Sequence, residues 1–170
     1  SSSTSIILLM NNFPQEYLTF ANKLADAAGI TSMKYFRTSL SIDSKSDESP
    51  VTIADQNTEL KIRSMIEKEY PNHGILGEEF DSVNPDAEFI WVIDPIDGTR
   101  SYIAGHKDFG NLISLTQNKK PIIGIINCPA HDERWVGVIN QKSTVNQKIV
   151  KTSNVTEIEH AYIFTSGLYF

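Results

Sequence analysis

The sequence predicts an α+β fold, a helix pair packed on an antiparallel sheet. Three observations carry that expectation. Apolar residues recur at helical spacing near the start, at Leu18, Ala21, Leu24, Ala25, Ala28 and Phe36. The second half instead carries short β-rich runs separated by turn residues: "NLISLTQ", "PIIGIINC", "ERWVGVIN" and "NQKIVKT". Helices therefore precede strands, an order that builds layers with the helices on one face of a sheet.

Taken in order, residues 1–12 read as a flexible tail opened by "SSSTS". Pro14 suits the first turn of the helix that follows it. "LSIDSKSDESP" (40–50) has mixed charge and almost no core candidates, and is expected to be an exposed loop and the least ordered internal segment. A second helix is expected from about Ile53 to Tyr70, stopped by "YPNHG". Ile75–Gly77 and Phe89–Ile93 read as short buried strands, and the four runs after them as an antiparallel meander. "AYIFTS" (161–166) reads as the start of one more strand. The expected organisation is a tail over 1–12, an α+β domain over 13–150, and only the start of a second α/β layer over 151–170.

Composition narrows the function classes. With 170 residues, 40% hydrophobic and 9% aromatic, the chain has enough material for a core. A net charge of −6 opposes a broad nucleic-acid surface, which needs clustered Lys and Arg; Lys119 and Lys120 form the one adjacent basic pair, at an expected turn. The single cysteine, Cys128, excludes an intramolecular disulfide, fits a reducing compartment, and is expected to be a core thiol. Ile6–Met10 is too short for a membrane span and lacks the basic flank of a signal peptide. A cytoplasmic domain is expected, with no nucleic-acid or membrane partner. His73, His106, His131 and His160 have no metal-binding spacing and read as surface or turn residues.

The chemistry concentrates in "WVIDPIDGTRS" (91–101), where an apolar run ends on Asp94 and Asp97. Alone, "DPIDG" would read as a turn. Here it follows a buried strand, and "GEE" (77–79) follows another, so two strand ends can gather Glu78, Asp94 and Asp97. Carboxylates ~4 Å apart repel by about 4 kcal/mol per pair at an effective dielectric of ~20. Such a group needs protons or a cation, and an all-oxygen set without His or Cys favours Mg²⁺, with Mn²⁺ as substitute. Gly98 and Thr99 add backbone N–H donors at an expected helix start, which suits an anion. Metals on one side of a phosphate and N–H donors on the other suit the hydrolysis of a phosphate ester.

Three segments in order, "KSDESPVTIADQNTE" (45–59), "GILGEE" (74–79) and "WVIDPIDGTRS", resemble the inositol monophosphatase-type family of metal-dependent sugar-phosphate phosphatases. The likeness continues through "FGNLISL", "GIINCP" and "ERWVG". It implies that family's layered fold and a role for each matching position. Glu78, Asp94 and the carbonyl of Ile96 would hold the metal that activates water. Asp94 would bridge to a second metal, shared with Asp97, that stabilises the leaving oxygen. Asp55 and Thr99 would form a hydrogen-bonded pair that orients and deprotonates the water. The N–H groups of Gly98 and Thr99 would bind the phosphate. Glu79 would support the site or bind a weaker third metal, and Lys45 would belong to a loop that closes over it. The expected partners are a small phosphorylated alcohol as substrate and a second copy in a homodimer.

"DGTRSYIAG" and "GIINCPAHDERWVG" resemble the histidinol-phosphatase branch more than the inositol branch. The expected activity is thus Mg²⁺-dependent hydrolysis of a phosphate monoester, histidinol phosphate first and inositol 1-phosphate second. A metal-binding regulatory module that has lost catalysis is the alternative of another class. A nucleotide 3′-phosphatase is disfavoured by the short segment between Glu79 and Asp94. In the resembled family a later Trp-Asp-x-Ala segment completes the second metal site. Nothing in 102–170 reads as that motif, so the chain is expected to be part of a longer protein.

Overall fold

The structure, a computed structural model, describes residues 14–38 and 50–164. The tail over 1–12, the expected mobile loop with Lys45, and residues 165–170 lie outside the described residues. Helix α1 spans Gln15–Tyr35 and helix α2 Pro50–Glu69. Strands follow at β1 Gly74–Leu76 and β2 Phe89–Asp97, then the short helix α3 Thr99–Ile103. Strands β3 Gly110–Gln117, β4 Lys120–Cys128, β5 Glu133–Val138, β6 Thr144–Val145 and β7 Lys148–Ile149 complete one sheet. Its order is β1-β2-β3-β4-β5-β6-β7, parallel only between β1 and β2. The helix pair and the meander expected from the sequence are both present.

Alternation along the strands builds the core. Trp91 and Ile93 on β2, Ile113 and Leu115 on β3, and Ile123 and Ile125 on β4 pack against Phe20, Leu24 and Ala28 of α1 and Ile62 and Ile66 of α2. Ala21, Ala25 and Ala28 are fully buried, so α1 lies close on the sheet. The opposite face leaves Ile126 and Trp135 exposed. A smaller cluster of Phe36, Ala54, Ile96, Tyr102 and Phe109 sits beneath the end of β2. The β3–β4 turn places Asn118 and Lys119 at φ 49° and 66°, so the basic pair does lie at a hairpin turn.

Four expectations change. Strand β2 does not end at Ile93 but runs on through Asp94 to Asp97. Asp94 pairs with Leu112 and Asp97 with Gly110, so β2 takes one extra residue and accommodates Pro95, which has no N–H to pair, in a bulge. Residues 161–164 form no strand: after a 3₁₀ turn at Ile158–His160 they lie exposed and pair with no strand among the described residues. Cys128 is a half-buried thiol at the end of β4, not a core one.

The fourth concerns His73. It does lie in a turn, its N–H donating to the Tyr70 carbonyl at 3.0 Å. But it is half-buried rather than on the surface, stacks on Tyr70 and Phe89, and its Nδ1 accepts a hydrogen bond from Trp91 Nε1 at 3.1 Å. Burial lowers its pKa, and the nearby Glu88 opposes this only in part. The neutral ring therefore contributes stability above the ordinary value of 6.5, and that contribution is lost as pH falls through the lowered value. His73→Phe keeps the ring stacking and cannot titrate. The wild-type-minus-variant unfolding free energy should fall by about 1 kcal/mol between pH 7.5 and 5, the worth of one hydrogen bond. A pH-independent difference would remove His73 from this role.

Candidate active site

The parallel pairing of β1 with β2 places the site. Leu76 lies opposite Val92, so the loop that leaves β1 with Gly77, Glu78 and Glu79 emerges beside Asp94. Trp91 and Ile93, both buried, fix the strand that presents Asp94. The bulge turns Asp97 out into an exposed position, and Gly98 then reverses the chain into α3 at φ +84°. A Cβ on Gly98 would stand 2.7 Å from the Asp108 carbonyl, so the position admits no side chain without movement. From the other side, the buried Asp55 enters on the second turn of α2.

The electrostatics bind these residues into one group. Burial pushes Asp55 up to about 7, helped by the charges of Glu79, Glu78, Asp94 and Glu59. Asp94 is pushed up to about 6 by burial first, then by Glu78 and Asp97 and by a side-chain hydrogen bond shared with Glu78; the Ile96 backbone pulls the other way. Glu79 is raised by burial and by Glu78 and Glu59. One oxygen, Asp94 Oδ1, is buried without a hydrogen-bond partner. Among the described residues no three His, Cys, Asp or Glu side chains converge tightly enough to hold a metal ion as they stand. Glu78 and Asp94 are the joined pair, with Asp97 beyond the bulge.

Thr99 begins α3, and its hydroxyl donates to the Ile96 carbonyl at 3.2 Å rather than to Asp55. The structure thus brings Asp55, Glu78, Glu79 and Asp94 together and places Asp97, Gly98 and Thr99 in the next turn of chain, while Lys45 lies outside the described residues.

Sequence reasoning missed two supports. Asn111 on β3, fully buried, donates to the Pro95 carbonyl at 2.7 Å and to Ser32 Oγ at 3.2 Å, and accepts from Asn127 at 2.9 Å, so it holds the bulge from behind. A polar residue entering the apolar run "NLISL" was the available signal. Glu59, fully buried in α2, accepts the N–H groups of Glu78 and Glu79. Glu59 and Arg63 look like a solvated i, i+4 pair in sequence, and only the burial distinguishes them.

No helix among the described residues is long and apolar enough to cross a membrane. The family model for the inositol monophosphatase family matches residues 14–169. The chain is 41% identical over 153 residues to the chloroplastic bifunctional phosphatase IMPL2 of Arabidopsis thaliana, covering 89% of this chain and 44% of that one. It is 40% identical over 141 residues to a histidinol-phosphatase of Chlorobaculum parvum, covering 82% of this chain and 54% of that one. Among solved structures, an inositol monophosphatase from Zymomonas mobilis superposes with a TM-score of 0.75 at 43% identity, covering 84% of this chain and 55% of the other. An inositol monophosphatase from Anabaena superposes with a TM-score of 0.73 at 33% identity, over 84% and 52% of the two chains. The chain spans about half the length of the curated relatives it matches. With three motifs in order, the matching sheet and the gathered carboxylates, the chain belongs to the inositol monophosphatase family.

Proposed function

We propose that residues 13–150 carry the metal and phosphate chemistry of a divalent-metal-dependent phosphate monoester hydrolase, with histidinol phosphate as first substrate and a homodimer as its assembly. The observation that carries this reading is the crowding of Asp55, Glu78 and Asp94 around a buried, unpartnered Asp94 oxygen. The residues present fit a hard cation: every donor is oxygen, and an orphaned buried carboxylate oxygen is a group that a cation would satisfy. Glu78, Asp94, Asp97 and the Ile96 carbonyl would hold Mg²⁺, which when bound would activate water and neutralise charge on the phosphate.

The rest is the work of this chain's own atoms. Asp55, buried beside Glu78 and Asp94, supplies a carboxylate of the kind a general base requires. Its carboxylate would take the proton of the attacking water. The Thr99 hydroxyl, released from Ile96 by rotation about χ1, would orient that water. The N–H groups of Gly98 and Thr99, at the turn into α3, would hold the phosphate oxygens.

The test is phosphate release by the complete protein from histidinol phosphate and from inositol 1-phosphate, with Mg²⁺ and with chelator. Mg²⁺-dependent release, faster from histidinol phosphate, is expected. The family also contains relatives named inositol monophosphatase, so a preference for inositol 1-phosphate would reassign the substrate, and metal-independent release would overturn the mechanism. Thr99→Ala should lower kcat strongly with a smaller change in KM, because its hydroxyl acts on water and not on the ester. A change in KM alone would take Thr99 out of the chemical step.

A further inference from the structure

Glu59 lies one turn beyond Asp55 on α2 and is fully buried. Its Oε2 accepts the backbone N–H of Glu78 at 3.0 Å and of Glu79 at 2.8 Å. Its Oε1 accepts from Arg63 Nε at 2.8 Å, and Arg63 Nη2 reaches past it to donate to the Phe80 carbonyl at 2.9 Å. The pair thus satisfies three backbone groups within residues 78–80. Gly77 is tied to the same device, since a Cβ there would overlap Glu59 Oε1.

This arrangement works against stability in one respect. Glu59 adds a further negative charge behind a crowded acidic group and repels both Asp55 and Glu79. A well-packed apolar residue would fill the gap between helix and loop without that repulsion, and buried ion pairs seldom outperform such packing. What the ion pair does that an apolar residue cannot is grip consecutive N–H groups of an irregular loop.

We propose that Glu59 and Arg63 are positioning residues that fix the backbone of Gly77–Phe80 so that the Glu78 carboxylate meets Asp94. This rests on the reading that Glu78 and Asp94 hold a divalent cation. The pair touches neither substrate nor metal and acts through the loop.

Mn²⁺ binding to the full chain, followed by electron paramagnetic resonance alongside the melting temperature in chelator, tests the proposal. Glu59→Gln keeps the volume and one acceptor oxygen but turns an amide NH₂ toward Arg63 or the loop N–H groups. Its Mn²⁺ affinity should fall roughly 10–100-fold, as for other groups that orient a metal ligand. If the pair only stabilises the fold, the melting temperature drops while affinity stays within about twofold of wild type, and the proposal is overturned. Should Glu59→Gln not fold, Arg63→Lys decides: it keeps the charge but not the two-pronged reach to Glu59 and Phe80, and should weaken Mn²⁺ binding by roughly three- to tenfold. Unchanged affinity in Arg63→Lys would likewise overturn the proposal. Glu78→Gln separates the two levels. If it binds Mn²⁺ like wild type, the metal-site reading fails and the proposal with it. If it abolishes binding while Glu59→Gln does not, the positioning role alone fails.

Discussion

Asp94→Asn is expected to abolish turnover and metal binding while making the metal-free protein more stable. Both effects come from one carboxylate. In the fold, burial and the charges of Glu78 and Asp97 hold Asp94 at about 6, against an ordinary value of 3.8. A carboxyl raised in the folded state contributes stability that is fully present below its unfolded value and is lost as pH rises through the folded one. Asp94 loses that contribution up to about pH 6, and Asp55, held at about 7, continues the loss. In chelator the contribution of these two carboxyls should therefore fall from about pH 4 to pH 7, against the smaller opposite change at His73, and Mg²⁺ should reverse that fall.

Asparagine at 94 is neutral throughout and can keep the hydrogen bond from the Ile96 backbone. At pH 7.5 it should raise metal-free stability on the order of 1–2 kcal/mol, after allowance for solvent screening of a half-buried group. Turnover should fall by at least about 10²–10³-fold, the usual size of a lost electrostatic contact to a transition state. Thermal unfolding in chelator and a phosphate-release assay read the two signs independently. A variant active at saturating Mg²⁺, or one less stable in chelator, would show that Asp94 is not the strained ligand proposed here.

Gly98→Ala should cost stability twice over, through its backbone and through its methyl. At φ +84° an alanine pays about 1–2 kcal/mol for the left-handed backbone alone. Its methyl would also meet the Asp108 carbonyl at 2.7 Å and the Phe109 Cα at 3.3 Å, backbone atoms that cannot swing aside like a side-chain tip. A total of roughly 2–4 kcal/mol is expected. Moving the 98–99 N–H groups should lower turnover as well. Gly105 supplies the control: it too has positive φ, 72°, but the nearest atoms to its Cβ are those of the Arg37 side chain at 3.6 Å. Gly105→Ala should cost only the backbone share, about 1 kcal/mol. Equal melting temperatures for the two variants would mean that the Asp108 carbonyl yields easily.

Much of this molecule was readable from its residues, where a local rule and the packed structure agree. The 3.6 spacing of Leu18 to Ala28 gives α1, and the alternating runs from Asn111 onward give the meander, because each pattern places one apolar face against the other. Glu78 and Asp94 were legible because each follows a short buried strand and two such strand ends can meet, whereas Asp55 was legible only through the resemblance of its segment to the family's. The failures share a different cause. The continuation of β2 past Pro95 depends on a bulge against β3, a partner that sequence spacing does not reveal. His73 is half-buried because Phe89 and Trp91, distant in sequence, close over it beside the neighbouring Tyr70. Glu59 follows the pattern of an exposed helical ion pair, and only the loop folding back onto it makes it interior. Each miss is a tertiary contact overriding a local preference.

The single parallel pairing in the sheet has a consequence for how the protein assembles in time. Strands β3 to β5 are joined by short antiparallel turns, the β3–β4 turn already favouring its hairpin through Asn118 and Lys119, whereas β2 reaches β3 only across α3. Hairpins of this kind close within ~1–10 μs. Strand β1 has no such shortcut: Gly74 must find Ile90 across an irregular crossover, and only then does Glu78 stand beside Asp94. Loop-closure entropy must be met before such a contact returns anything, so the meander is expected to condense first and the two carboxylates to meet late. A cation that binds only the finished pair then has nothing to hold in the folding transition state. In stopped-flow experiments Mg²⁺ should slow unfolding and leave the folding rate almost unchanged, making the ion a latch on the completed molecule and not a nucleus for it.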